Sequence, residues 1–184
     1  MDFQLGFTPT CRIGNGQVIG LFLPCYIYQL ESKSIHFIGR RTPDSKRRWV
    51  EYCSSCHHSI VNFASENTDH LPAYENTDFA KDQDTARFSY PFIKGRVGNY
   101  TFILMLDGGG ELDIRFWMSP DGGGFDPVTH QTNPAWDFVV LKFGYELDHE
   151  YTARGRLVIN HAMDNQRVIE EYETWSGKRC NWDE

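Results

Sequence analysis

An almost wholly apolar run, Tyr100 to Leu106, is joined to an alternating run, Glu111 to Met118, by Asp107-Gly108-Gly109-Gly110. The first run reads as a strand buried on both faces. In the second, Leu112, Ile114, Phe116 and Met118 point one way, and Glu111, Asp113, Arg115 and Trp117 the other, because side chains alternate along a strand. The glycines supply the positive φ that a tight loop between strands requires. A chain built around such a hairpin is a β protein.

Similar signals recur along the sequence. Val18 to Leu30 is rich in β-branched and aromatic residues, and Ile35 to Ile38 follows the polar tetrad Glu31-Ser32-Lys33-Ser34, which predicts a hairpin. Trp49 to Tyr52 follows a second polar loop and reads as the next strand of a meander. Trp136 to Phe143 and Tyr145 to Tyr151 are two more expected strands, the latter placing Tyr145, Leu147, His149 and Tyr151 on one face. Arg156 to Asn160 is expected to pair with Arg167 to Tyr172. Residues 54–88 break the pattern with Asn, Asp, Ser, Thr and Pro72, and predict a long irregular or partly helical insertion. Roughly nine or ten strands with frequent turns predict an all-β, mostly antiparallel barrel or sandwich. No domain boundary is visible, so residues 1–184 are expected to form a single β-rich domain.

A core of this kind needs apolar mass, and 13 Phe, 9 Tyr and 5 Trp supply it. They also suit an aromatic-lined cavity or surface. The net charge of −7 opposes a phosphate backbone, so no nucleic-acid partner is expected. The longest uncharged stretch, Ile13 to Leu30, carries Asn15, Gln17 and Pro24, which excludes a membrane helix. The first dozen residues lack a signal-peptide pattern, and five cysteines are an odd count, so a cytoplasmic chain with reduced thiols is expected.

Four clusters offer chemistry. Cys53-Ser54-Ser55-Cys56-His57-His58 has the Cys-x-x-Cys-His spacing of haem attachment, and its thiolates and imidazoles suit zinc. No export signal or second cysteine pair accompanies it, so reduced structural thiols are expected, with no metal and no cofactor. The Asp-Gly-Gly-Gly loops at 107–110 and 121–124, with Asp113 and Asp126 nearby, hold oxygen ligands for calcium, but turn formation explains their glycines. Arg40, Arg41, Lys46, Arg47 and Arg48 form a basic hairpin tip that would meet solvent or an acidic partner.

The fourth cluster carries the functional expectation. If the barrel closes, Asp113, Arg115 and Trp117 on one strand would share a cavity with Tyr145, His149 and Tyr151 on another. A partly desolvated histidine works as an acid or base near neutral pH, with a carboxylate to orient it. His149, Asp113 and Arg115 are the expected catalytic residues, and Trp117, Tyr145, Tyr151 and Trp136 the expected ligand contacts. The protein is thus expected to bind a small molecule or sugar in an aromatic pocket. Any catalysis would be that of a cofactor-independent isomerase, cyclase or lyase. Two other readings are a non-catalytic carbohydrate- or protein-recognition module, with Trp117, Trp136 and Trp175 in an exposed row, and a zinc-stabilised interaction protein.

Overall fold

A computed structural model describes residues 1–13, 18–28, 32–53, 61–67 and 83–183. Among them the elements run β1 (Asp2–Phe7), β2 (Val18–Leu23), β3 (Ile35–Arg40), β4 (Arg48–Tyr52), β5 (Val61–Ser65), β6 (Gln83–Phe88) and β7 (Phe92–Val97). There follow β8 (Tyr100–Asp107), β9 (Asp113–Ser119), β10 (Phe125–Asp126), β11 (Gln131–Thr132), β12 (Ala135–Phe143), β13 (Tyr151–His161) and α1 (Asn165–Ser176).

One sheet holds most of them, in the order β1-β13-β8-β7-β3-β6-β5-β9-β12-β2, with β4 paired to β3 off that path. Every pairing in it is antiparallel except β5 with β6. The sheet curls into a half-barrel, and β10 and β11 form a separate two-stranded ribbon. Mostly antiparallel β structure thus organises the chain.

The alternation along β9 decides where the core lies. Leu112, Ile114, Phe116 and Met118 all join the large cluster inside the curl. There Phe116 meets Phe88 at 4.2 Å and Phe138 at 4.6 Å between ring centroids. Trp136 reaches across the hollow from β12 to Phe102 of β8, 5.8 Å away. It fits because Gly95 of β7 has no side chain, since a Cβ there would lie 2.3 Å from the indole. A second cluster sits on the convex side, where α1 lays Val168, Ile169 and Tyr172 over Ile38, Phe92, Ile103 and Met105.

Several sequence expectations are corrected. Arg167 to Tyr172 is helix, not the partner of Arg156 to Asn160; those residues belong to β13, which pairs with β8. Asp164 caps the helix by accepting from Arg167 N at 2.8 Å, and Gly177 ends it in the left-handed conformation at φ 72°. Tyr145 to Glu150 is a loop, bent at Asp148 with φ 59°, and only Tyr151 of that stretch is in a strand. β2 stops at Leu23 and pairs with β12, not with β3. β1 is an additional edge strand. The insertion expected at 54–88 contains β5 and β6 near its two ends, and residues 54–60 and 68–82 lie outside the described residues.

Candidate functional site

Both clusters reach the surface at one end of the half-barrel, beside a cleft of about 640 Å³. Its floor is Phe88, Leu112 and Ile114 from the concave cluster and Tyr172 from the convex one, all buried. Phe143, at the end of β12, forms part of the wall. The polar groups around it are Ser65, Asn67, Ser89, Asp107, Asp113 and Lys178, with Glu111 on the hairpin loop.

Local sequence explains the walls. Between β8 and β9, Gly109 and Gly110 take φ 63° and 83°, and Glu111 N donates to Gly108 O at 3.1 Å. Asp107 Oδ1 accepts from Gly109 N at 3.2 Å and from Lys178 Nζ at 3.3 Å, while Oδ2 takes Arg154 Nη2 at 2.9 Å. Burial acts to raise the Asp107 pKa, but these donors outweigh it and hold the carboxyl below its ordinary range. On the opposite wall, Ser89 Oγ donates to Glu66 Oε2 at 2.9 Å. Arg40 and Arg47 both pair with that Glu66, and Arg47 lies over the Tyr90 ring. Part of the basic hairpin tip is therefore structural. Lys46 and Arg48 remain exposed.

Asp113 lies in the cleft, and Arg115 holds it from behind with Nε at 3.0 Å and Nη2 at 2.9 Å, both on Oδ2. The Arg115 side chain is only 4% exposed and sits over Phe143. Trp117 is two residues further along the same convex face, 5.4 Å from Phe22. Tyr145 and Tyr151 belong to the concave core, where their hydroxyls accept from Ile13 N at 2.7 Å and Glu146 N at 2.8 Å. Trp136 is fully buried in that core, its indole N–H without a hydrogen-bond partner among the described residues. His149 is exposed, its ring 4.6 Å from Tyr151 and outside the cleft lining.

The structure thus pairs Asp113 with Arg115 and places Tyr145 and Tyr151 in the concave core, on the opposite face of the sheet. Neither Trp136 nor Trp117, 7% exposed, presents a flat face to solvent. Trp175 packs beside Tyr172 under Arg154. Sequence reasoning missed Phe143, Tyr172, Glu111, Asp107 and Lys178 as neighbours of one cleft. Asp107 and Glu111 share one hairpin loop, and long-range pairing brings Phe143, Tyr172 and Lys178 to it.

A second carboxylate stands apart on the convex face. Asp137 of β12, opposite Trp117, is buried and accepts from Cys25 N at 2.7 Å. Burial pushes its pKa up to about 6, the single backbone donor opposing this only in part. The same burial, with Asp137 beside it, pushes the Cys25 thiol up to about 11.

Among the described residues no group of three or more His, Cys, Asp or Glu could hold a metal ion. Cys53 is exposed, and Cys56, His57 and His58 lie outside the described residues. Asp126 takes Tyr28 Oη at 2.5 Å and Val128 N at 2.8 Å, so its oxygens serve the β10–β11 ribbon. No described helix is long and apolar enough to cross a membrane. The fold and the cleft define an all-β half-barrel with an aromatic-floored opening at one end. Comparison with family models, curated proteins and solved structures finds no match.

Proposed function

We propose that the protein binds a small organic molecule in the cleft between the β8–β9 hairpin and α1. One observation carries this reading: an opening of about 640 Å³ has an apolar, aromatic floor and a rim of oriented polar groups. Small-molecule sites typically span roughly 300–1,000 Å³ and have that composition. Asp113, fixed by Arg115, is a preorganised acceptor, which lowers the ordering cost of binding. Phe143 and Tyr90 supply ring surface at the wall. This reading is one of binding, and it does not use His149.

The test is a fragment screen followed by amide chemical shifts. Binding should move Gly108, Gly110 and Asn67, and Asn67→Trp, at an exposed lining position, should block the cleft and abolish those shifts. Fragments that leave these amides still, or that bind equally well to the blocked variant, would overturn the assignment.

A further inference from the structure

We propose that the cleft selects organic cations, meaning a protonated amine carried on a flat apolar body. The inference rests on the binding reading above and adds the sign of the ligand's charge. Among the described residues lining the cleft, Asp107, Glu111 and Asp113 carry carboxylates and Lys178 carries an ammonium. Lys178 is already engaged with Asp107, which Arg154 also holds.

The carboxylates differ in what they have left to offer. Both Arg115 nitrogens meet Oδ2 of Asp113, so Oδ1 takes no hydrogen bond among the described residues. Arg115 itself does not line the cleft; its buried guanidinium offsets the Asp113 charge but leaves Oδ1 as an acceptor without a donor among the described residues. Glu111 is exposed, and its carboxylate has no hydrogen bond or ion pair among the described residues. The cleft therefore presents acceptor oxygens with negative charge beside an apolar floor. An ammonium supplies the donors those oxygens lack, and charged hydrogen bonds of this kind are stronger than neutral ones. The net charge of −7 adds long-range attraction for a cation. An anion would meet Lys178 already paired, with the uncompensated Glu111 carboxylate opposing it.

The experiment uses three probes with one shared body: 2-phenylethylamine, 2-phenylethanol and phenylacetate. Each is titrated against the full chain while the amides of Gly108, Gly110 and Asn67 are followed. The amine should bind about tenfold more tightly than the alcohol, and the acid more weakly than either. Glu111→Gln, at an exposed and unpaired position, should reduce the preference without disturbing the fold, and Asp113→Asn should reduce it further. Equal binding of amine and alcohol at these amides would overturn the charge selection while leaving the cleft as a binding site. A preference that survives both variants would also overturn it, because the selecting charge would lie elsewhere. Failure of all three probes to move these amides would overturn this inference, and failure of a broader fragment set would remove the binding reading as well.

Discussion

Asp107-Gly108-Gly109-Gly110 and Asp121-Gly122-Gly123-Gly124 are the same tetrapeptide at opposite ends of β9, yet one walls the cleft and the other turns into a two-stranded ribbon. In the first, positive φ at Gly109 and Gly110 sets the loop, with open space around both. In the second only Gly124 has positive φ. Gly122 and Gly123 are there for close approach, since a Cβ would lie 2.8 Å from Ala135 Cβ or 2.6 Å from Pro134 O. Their aspartates diverge too. Asp107 gathers Arg154 and Lys178, whereas Asp121 accepts from Ser119 Oγ at 3.0 Å. Local sequence specifies a turn in both places, and the surroundings decide whether that turn builds a site.

The strand between the loops supports both, so cutting its anchor should produce the largest effect. Phe116 is fully buried, and Phe116→Ala should cost about 3–5 kcal/mol through lost burial and the cavity left behind. Chemical denaturation measures it. A loss under about 1 kcal/mol would mean that Phe116 does not anchor the packed core.

Glycine substitutions then separate the loops. Gly123→Ala forces a Cβ against a backbone carbonyl and should cost about 1–3 kcal/mol. Gly109→Ala meets only backbone strain, about 1–2 kcal/mol, and Gly109→Asn should recover much of that because asparagine tolerates the left-handed region. If Asn fails at 109 as Ala does, conformation is not what that glycine supplies.

A pH series sharpens the contrast with smaller effects. Asp107 is held below the ordinary carboxylate range, so its contribution is present at neutral pH and is lost as pH falls through its folded pKa. Asp137, on the strand that the second loop packs against, is pushed the other way, to about 6. Its ionised form costs stability at neutral pH, and that cost disappears as pH falls from 7 toward its ordinary value. Asp137→Asn should therefore stabilise the protein by about 1–2 kcal/mol at pH 7.5 and by much less at pH 4.5. Melting temperatures of both proteins at the two pH values give the answer. A variant destabilised equally at both would show that the carboxylate, charged or not, is a structural necessity.

How much of this was legible follows from which signals are local. β8, β9 and β12 announce themselves through continuous or alternating apolar residues, and both faces of β9 follow from alternation alone. α1 was open to the same treatment: Val168, Ile169 and Tyr172 fall on a helical stripe between the cap Asp164 and Gly177. Its adjacent β-branched residues imitate a strand. In β1, Phe3, Leu5 and Phe7 alternate with Asp2, Gln4 and Gly6 over a span short enough to overlook. Residues 145–150 alternate equally well yet form a loop, because Asp148 turns the backbone at φ 59° and the N–H groups of Glu146 and Asp148 are met by Tyr151 Oη and Pro9 O rather than by a neighbouring strand. At the cleft, Asp113 and Arg115 were readable as a same-face pair. Phe143, Tyr172 and Lys178 were not, since their meeting depends on the sheet order and on a helix folding back over β8 and β7.

The most direct test of the account is a crystal soaked with a mixed fragment set at high occupancy. Density should appear in the cleft, against Phe143 and within hydrogen-bond reach of Asp113 Oδ1, with Arg115 still fixed behind it. Fragments occupying only other surfaces, with this cleft empty under the same conditions, would contradict the claim that it is the protein's binding site.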